Sequence, residues 1–494
     1  MAQPRYDVIV IGAGFGGSAC AGLLAKQGLK VLLIEKNAGA GGKAMSMSKN
    51  GFTYTAWVVI SAPIQDNLLQ KTLDELGMTG KAELVSFPGQ QAAMYRAPSG
   101  QYKRMPPMPP GMAMDPNVVF DWLEVKPEER PEALKALMEL SLMSPADIAK
   151  LDDISFAEWL SRYKIPKSVY AFLVGPVADG CFVVPVDALS ASEAIRTLQD
   201  VFLRNGGLFC KGGFGRLAGA YAEAVTAYGG KVMMRTRVEK VLVDQGKVTG
   251  VVTNKGTFYA PIIVSNAGIQ PTVLKLVGEE HFDRSYVNYV KDLIPSLGFM
   301  GSRYFLNKKV TDAPYGVIFS DETPWSLQRW INEAKPLDLP DEMTVWFEVP
   351  SNYDPDAAPP GKQILMTGYL CPADPQMTLK QKKAWWEKGD EILFRVFPEL
   401  PQCIERKEGY SPQHVSALTR DQVLPGQGGE CIGLGQIVGQ AGGYKPSIKA
   451  PIGGLFYVGC DAGGYGVGIQ QAVNSAHNVA TEVLRYYRMR KALV

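Results

Sequence analysis

Residues 6–35 read YDVIVIGAGFGGSACAGLLAKQGLKVLLIE, and this stretch sets the architecture of the chain. Residues 6–11 form a short apolar run rich in β-branched side chains, which is typical of a buried parallel strand. Residues 18–27 have helical spacing and end at Gly28, a common helix stop. Residues 30–34 are a second apolar run. The order strand, glycine turn, helix, strand predicts a βαβ unit within an α/β fold.

The turn after the first strand carries the pattern G-x-G-x-x-G at Gly12, Gly14 and Gly17. The first glycine permits a tight turn, the second lets the backbone approach a pyrophosphate, and the third lets the helix pack close to the strand. The helix N-terminus offers free N–H groups to phosphates. Glu35 follows Gly12 by 23 positions, where a carboxylate takes ribose hydroxyls. Together these features predict a dinucleotide site, with a plain βαβ unit as the alternative.

Composition excludes several other classes of protein. The chain has 494 residues, of which 46% are hydrophobic and 20% charged, which supports a large packed core. Lys plus Arg total 51 and Asp plus Glu 49, so no basic footprint for nucleic acid is expected. The three histidines lack metal-ligand spacing, so no metal site is predicted. Seven cysteines without a C-x-x-C pair favour a reducing, cytoplasmic location.

The uncharged run at residues 8–25 does not predict a membrane span. Asp7 precedes it and five glycines lie within it, as the strand, turn and helix of the βαβ unit require. No transmembrane segment is predicted elsewhere. The location we expect is therefore cytoplasmic, with peripheral membrane association as an alternative.

A second glycine loop, GAGGK at residues 39–43, comes directly after Glu35 and Lys36. This arrangement resembles the FAD-binding signature of the amine oxidase and phytoene desaturase flavoproteins, roughly E-K-x-x-x-x-G-G-R. The resemblance implies FAD as the cofactor, with the basic residue near the pyrophosphate and the flavin. Lys43 stands where arginine is usual, so a point charge replaces a planar, two-pronged donor.

The stretch FTYTAW at residues 52–57 departs from the family pattern. Thr55 and Trp57 stand where the family has Asp and Gly. Two interpretations of Trp57 are open. It either narrows the site or stacks on the substrate beside the flavin, or it is an ordinary buried tryptophan.

Residues 450–469 read APIGGLFYVGCDAGGYGVGI, and a helix is predicted at about residues 470–490. The order strand, acidic turn, glycine loop, helix places a second helix N-terminus toward a cofactor. It resembles the last FAD motif of the same family, P-I-x-G-L-Y-x-x-G-D followed by a G-G-x-G-V loop. The resemblance implies that Asp461 meets ribityl hydroxyls or helps to place the pyrophosphate.

Residues 231–266 are predicted to form a β-meander, with strands at 232–234, 238–244, 248–253 and 262–265. The resemblance implies that the backbone of Val238 meets the adenine and that Asn266 and Ala267 lie in a loop returning to the cofactor. In full, the residues assigned to FAD by the resemblance and its motifs are Gly12, Gly14, Phe15, Gly16, Gly17, Glu35, Lys36, Gly41, Gly42, Lys43, Val238, Asn266, Ala267, Asp461, Val467, Gly468 and Ile469.

The same resemblance implies a discontinuous domain organisation. A Rossmann-like FAD-binding domain of the GR2 type would comprise residues 1–89, 206–274 and 406–494. An interleaved α+β substrate domain would comprise residues 90–205 and 275–405. Within the second domain, the loop MPPMPPGM at 105–112 is either an apolar entrance that could touch lipid or an irregular packed loop.

Four residues are candidates for contact with substrate. Asp179 lies in the glycine-bounded run VGPVADGC at 174–181 and is either a general acid or base or the cap of a turn. Tyr465 is a second catalytic candidate. Trp57 and Tyr444 are candidates for substrate binding.

These observations lead to three functional hypotheses. The first is a flavoenzyme similar to phytoene desaturase, carotenoid isomerase and retinol saturase, which introduces, removes or shifts a double bond in an apolar alkene or polyene by hydride exchange with the flavin. The second is an amine oxidase-like flavoprotein that uses oxygen, and the third is a non-catalytic carrier of a lipophile. Because no second complete βαβ unit for a nicotinamide is found, the electron partner is left open among a quinone, oxygen and a redox protein.

Overall fold

The computed structural model describes residues 5–59, 67–86, 91–107, 115–204, 208–326 and 339–492. Its first sheet has five parallel strands, in the spatial order Leu455–Tyr457, Ile263–Ser265, Val8–Ile11, Val31–Ile34 and Lys231–Met233. The predicted βαβ unit is present, with its helix at Phe15–Lys26. The fold is thus of the α/β class that the sequence predicts.

Both faces of the parallel sheet are covered, which explains why its strands are apolar throughout. Val8 and Val10 face a helical layer, whereas Ile9 and Ile11 face the opposite side. The helices of that layer are Phe15–Lys26, Leu68–Glu75, Phe214–Ala227 and Gly468–Ala492. On the other face lies a three-stranded antiparallel sheet, Val238–Asp244, Lys247–Thr253 and Gly256–Tyr259.

The predicted four-stranded meander at residues 231–266 is therefore wrong in its pairing. Lys231–Met233 and Ile263–Ser265 both belong to the parallel sheet, and only the strands between them form an antiparallel sheet. Gly256–Tyr259, which was not predicted, is the third antiparallel strand. The periodicity of a short apolar run does not reveal its partner, because strand pairing depends on segments far away in the chain.

The second large sheet has seven strands. Their spatial order is Ile404–Tyr410, Gly298–Leu306, Gln363–Cys371, Val345–Glu348, Tyr315–Ser320, Ala92–Arg96 and Tyr102–Arg104. The pairing of Tyr315–Ser320 with Ala92–Arg96 is parallel and the other pairings are antiparallel. Ala92–Arg96 and Tyr102–Arg104 form a hairpin that turns at residues 97–100. Two small two-stranded sheets, Ser46–Lys49 with Phe52–Thr55 and Leu84–Ser86 with Leu208–Cys210, flank the large ones.

Helices pack on the seven-stranded sheet. One group is Pro116–Trp122, Arg130–Leu142, Pro145–Ala149, Phe156–Leu160, Lys167–Leu173 and Ala191–Arg204, with a π-helical segment at Val174–Phe182. Other helices in the described ranges are Ile269–Pro271, Arg284–Asp292, Leu379–Val396, Leu400–Cys403 and Pro412–Leu418, with a second π-helical segment at Thr272–Val277. In the described ranges no helix is both long and apolar enough to cross a bilayer. Of the loop at 105–112, residues 108–112 lie outside the described residues, and Met105 is buried.

Candidate active site

A cavity of about 380 Å³ lies at the carboxyl ends of the parallel strands, where it meets the seven-stranded sheet. This edge is where open α/β sheets bind their ligands. From the parallel sheet side the lining includes Gly14, Phe15, Gly16, Gly41, Gly42, Lys43, Asn266, Gly459, Cys460, Asp461, Val467, Gly468 and Ile469. From the other side it includes Trp57, Val58, Val59, Gln91, Ala93, Met105, Phe172, Cys181, Val183, Phe299, Tyr315, Val317 and Trp346. The cavity therefore joins two chemically different halves.

The first glycine turn has the close packing that the sequence predicts. Gly12 has φ +92°, which a side chain rarely adopts. A Cβ on Gly17 would lie 1.9 Å from the carbonyl oxygen of Gly12, and one on Gly16 would lie 2.9 Å from Cα of Gly459. The helix Phe15–Lys26 thus begins directly at the cavity with its N–H groups uncovered by side chains. This arrangement suits a diphosphate.

A second helix, Gly468–Ala492, begins at the same cavity. Val467, Gly468 and Ile469 line it, and their contact with FAD stays a prediction. Two helix N-termini therefore converge on one space, together with Asn266 between them. In the amide orientation that satisfies both of its ends, Asn266 accepts from the N–H of Gly14 at 3.3 Å and donates to the carbonyl of Val458 at 3.0 Å.

Glu35 braces the glycine turn. Its carboxylate accepts from the backbone N–H groups of Ala13 at 2.8 Å and Asn37 at 2.7 Å, and the residue is 4% exposed. It is not part of the cavity lining, and its contact with a ribose stays a prediction. Val238 is likewise buried in the core between the sheets, and Lys36 forms an ion pair with Asp421 at 3.3 Å.

Four charged groups, of which Arg420, Glu430 and Asp461 are buried, form a network at the end of the cavity that the glycine turns line. Arg420 donates to both carboxylate oxygens of Asp461, at 2.9 and 2.8 Å, and forms an ion pair with Glu430 through Nε. Lys43 donates to the carbonyl of Glu430 at 2.6 Å and lies 4.0 Å from its carboxylate. Asp461 also accepts from the N–H of Ile269 at 2.9 Å. Two cations and two carboxylates thus compensate one another, and of the four only Lys43, with 22% of its side chain exposed, reaches solvent appreciably.

This network controls the protonation of its members. Burial by itself would raise the pKa of Asp461, but the charge and hydrogen bonds of Arg420 hold that pKa below its usual value. Burial lowers the pKa of Lys43, opposed by the nearby carboxylate of Glu430. Burial also raises the pKa of two lining thiols, Cys431 to about 11 and Cys460 to about 12. Neither thiol is therefore ionised near neutral pH.

The other half of the cavity is largely apolar, and none of its described lining residues is charged. Its wall is largely aromatic and aliphatic, and burial raises the pKa of Cys181 to about 12. Trp57 is 3% exposed and its carbonyl accepts from the hydroxyl of Thr55 at 2.7 Å. Thr55, which replaces the family Asp, therefore holds the turn that carries Trp57. Opposite, a Cβ on Gly180 would lie 1.9 Å from the indole of Trp346, so this wall is closely packed.

Glu348 binds the backbone of the cavity wall that contains Trp57 and Val59. Its carboxylate accepts from the N–H of Val59 at 3.1 Å and from the hydroxyl of Tyr353 at 2.6 Å. The side chain is completely buried, and burial raises its pKa from the usual 4.5 to about 7. The backbone of the wall that carries Trp57 and Val59 is thus fixed by an acid that titrates near neutrality.

We expect Glu348→Gln to change the pH dependence of stability. Because the folded protein binds this proton more tightly than the unfolded chain, wild-type stability falls as pH rises from about 4.5 to about 7. The glutamine variant lacks this loss, so its stability relative to wild type should rise by about 1–3 kcal/mol across that window. Denaturant unfolding of both proteins at several pH values measures the difference. Glu405→Gln, which removes an acid from an exposed ion pair with Lys362, is the control. If the free energy of unfolding of Glu348→Gln changed with pH in parallel with that of wild type, the raised pKa of Glu348 would be contradicted.

The remaining candidates lie in different places. Asp179 is 3% exposed, and burial raises its pKa to about 8. It belongs to the π-helical segment, whose residues Pro176 and Gly180 line the cavity, but it does not itself line it. Tyr465 is 53% exposed, with the cations of Arg196 and Lys445 over its ring. The catalytic roles of Asp179 and Tyr465 stay predictions.

Tyr444 lies at the surface, 50% exposed, where a hydrogen bond with Asp153 raises its pKa. It is outside the cavity lining, whereas Trp57 is part of it. Their contact with substrate stays a prediction for both. In the described part of the chain, no group of three or more His, Cys, Asp or Glu side chains could hold a metal ion.

Sequence reasoning missed Arg420, Glu430 and Glu348. Arg420 and Glu430 lie in a stretch without regular spacing, and Glu348 ends a strand that looks like any other. No local pattern marks a charged residue as buried when its partner is distant in the chain.

Comparison with known proteins agrees with this geometry. A family described as "Flavin containing amine oxidoreductase" matches residues 15–484. Human all-trans-retinol 13,14-reductase is 23% identical over 518 residues, which cover 92% of this chain and 82% of that protein. Chloroplastic prolycopene isomerase of Daucus carota is 25% identical, with 84% of this chain and 71% of that protein covered. An oxidoreductase of known structure from Methanosarcina mazei superposes with a TM-score of 0.70 at 19% identity, over 96% of this chain and 99% of its own.

Proposed function

Because the chain belongs to the flavin-containing amine oxidoreductase family and is an FAD-dependent oxidoreductase, we propose that it acts on conjugated double bonds of an apolar polyene or retinoid. The observation that carries the proposal is that the charged lining residues lie at one end of the cavity and the apolar ones at the other. Among the described lining residues, the charged side chains are Lys43, Arg420 and Asp461, which lie at one end, and the other half offers a largely apolar wall. The names of the retinol reductase and the prolycopene isomerase support the same substrate class.

The residues that line the cavity are suited to binding the flavin and orienting an apolar substrate. When bound, FAD supplies a centre that accepts or returns a hydride. The glycine turns and two helix N-termini would hold its diphosphate, and Lys43 and Arg420 would provide cations near the flavin end. Trp57, Phe299 and Trp346 would exclude water and align the apolar chain. None of these groups needs to act as an acid or base.

Anaerobic flavin spectroscopy tests the proposal and its direction. All-trans-retinol and prolycopene are mixed in turn with the oxidised and the chemically reduced enzyme. Loss of the oxidised flavin band would indicate desaturation, recovery of that band from reduced enzyme would indicate saturation, and a changed double-bond geometry without net flavin change would indicate isomerisation. Reoxidation by a quinone or by oxygen then identifies the class of electron partner.

Two outcomes would contradict the proposal. Hydrogen peroxide formed with amines, but no reaction with polyenes, would favour the amine oxidase alternative. Ligand binding with a redox-silent flavin would favour a carrier.

We expect Trp57→Leu to weaken binding of the apolar ligand by roughly tenfold, because the substitution removes the indole ring that forms part of the cavity wall. Flavin content should stay that of wild type, since the diphosphate contacts come from other segments. Quenching of flavin or tryptophan fluorescence measures ligand affinity, and absorbance at the flavin band measures content. Loss of flavin in this variant would assign Trp57 to the cofactor site and not to the substrate wall.

A further inference from the structure

One face of the seven-stranded sheet forms part of the apolar half of the cavity. The residues on this face that line the cavity are Gln91, Ala93, Tyr315, Val317 and Trp346. Val317 pairs with Ala93 in the strand on one side and with Trp346 in the strand on the other, so these three form one row across the sheet. Side chains alternate along a strand, and Gln91 and Tyr315 each precede a member of this row by two positions. They therefore form a second row on the same face.

The two rows differ in polarity. The first row carries a methyl, an isopropyl and an indole group, whereas the second carries the amide of Gln91 and the hydroxyl of Tyr315. Glu348 pairs with Tyr315 in the register and continues the second row. Its carboxylate already accepts two hydrogen bonds, however, and it is not among the lining residues. Gln91 and Tyr315 are thus the only described lining residues of this half that carry a side-chain amide or hydroxyl group.

The side-chain amide of Gln91 is only partly used. The hydroxyl of Tyr315 donates to its Oε1 at 3.4 Å, and Gln91 is partly buried. The amide nitrogen offers two further donors, and none of the described residues accepts a hydrogen bond from it. Binding of an apolar molecule here removes water from these donors, which costs free energy unless the ligand supplies an acceptor. The amide therefore favours a ligand that has an oxygen atom at this point.

The charge of the cavity narrows the kind of oxygen. No described lining residue of the apolar half is charged. At the other end, the cations of Lys43 and Arg420 are already compensated by Asp461 and Glu430. A carboxylate next to Gln91 would thus be buried without a cation, which is unfavourable. A neutral hydroxyl or carbonyl oxygen meets no such cost.

We propose that Gln91 is a specificity-determining residue that donates a hydrogen bond to a neutral oxygen of the substrate. The substrate is then a polyene alcohol or aldehyde, and neither a hydrocarbon polyene nor a polyene acid. Tyr315 orients the amide by binding its Oε1, which leaves the two N–H groups for the ligand. The inference rests on the proposed function, because it names the substrate class of the same cavity.

The first test compares four ligands with the wild-type holoenzyme at pH 8, by quenching of flavin or tryptophan fluorescence. They are all-trans-retinol, all-trans-retinal, retinoic acid and the retinol analogue in which hydrogen replaces the hydroxyl group. We expect the alcohol and the aldehyde to bind roughly tenfold more tightly than the hydrocarbon analogue, because each gains a hydrogen bond in a site from which water is excluded. The acid should bind no better than the hydrocarbon analogue, since its charge meets no cation.

The second test repeats the comparison with Gln91→Met, which keeps the length of the side chain and removes its donors. The affinity for retinol should fall roughly tenfold, whereas the affinity for the hydrocarbon analogue should stay unchanged or rise. Tyr315→Phe should cause a smaller loss, also confined to the oxygen-bearing ligands, because the amide loses the hydroxyl that orients it. Gln376→Met, the same change at an exposed glutamine, is the control and should keep wild-type affinities.

A role of Gln91 in packing alone predicts a different pattern. Equal losses of affinity for retinol and for the hydrocarbon analogue in Gln91→Met would overturn the inference. Equal affinities of these two ligands for wild type would overturn it as well, and that result does not depend on how any variant folds. In both cases the proposed action on polyenes is unaffected, since the ligands still bind. Absence of binding by all four ligands would overturn the proposed function together with the inference.

Discussion

Replacing Arg420 with leucine is expected to destabilise the protein by about 3–5 kcal/mol and to remove its flavin, because two buried carboxylates lose their partner. Asp461 and Glu430 are 6% and 0% exposed, so water cannot take the place of the guanidinium. Lys43 alone then faces both acids. Denaturant unfolding gives the loss of stability, and absorbance of the purified protein gives the flavin content.

Arg395→Leu is the matched control. Arg395 also pairs with two acids, Glu342 at 2.9 Å and Glu391, but its side chain is 32% exposed. Surface pairs of this kind contribute about 0–1 kcal/mol. Equal losses of stability for the two variants would show that the Arg420 network is no more buried in solution than a surface pair.

Gly14→Val is expected to yield a folded protein that binds FAD roughly a hundredfold more weakly or not at all. Gly14 has φ −67°, which valine can adopt, so the backbone of the turn need not change. Its Cβ would lie 2.6 Å from the amide of Asn266, however, and the side chain would fill the place where the diphosphate approaches. Flavin content after purification and titration with FAD measure the effect.

Gly219→Val serves as the control for this substitution. Gly219 lies in the helix Phe214–Ala227, and a Cβ there meets nothing within 4 Å. Its variant should keep full flavin content and nearly unchanged stability, since valine is a slightly better helix former than glycine. Full flavin content in Gly14→Val would refute the role of the first glycine turn.

Much of the cofactor half could be predicted from the sequence because its motifs are local. The contact between Gly17 and Gly12 lies within one turn. It leaves no room for a Cβ at residue 17, so it requires a glycine that is close in the chain to its partner. The two helix N-termini at Phe15 and Gly468 follow from the order of strand, turn and helix in each motif. Local sterics and helix dipoles do not depend on the rest of the molecule, so a short stretch suffices to predict them.

Tertiary structure alone decided which charges are buried and what they bind. Arg420 meets Asp461 across 41 residues, and Glu348 meets the N–H of Val59 across 289. Tyr465, a catalytic candidate, and Tyr444, a substrate-binding candidate, are about half exposed, which their sequence context does not specify. The strands at 231–233 and 263–265 likewise took partners that their own periodicity does not specify.

The chain's own sequence thus determined the α/β class, the glycine turns and the FAD family. The apolar wall of the cavity and the four-charge network were set by packing between distant segments. The physical reason is that burial of a charge or an aromatic ring is a property of its whole surroundings, and those surroundings come together only when the two sheets close around one cavity.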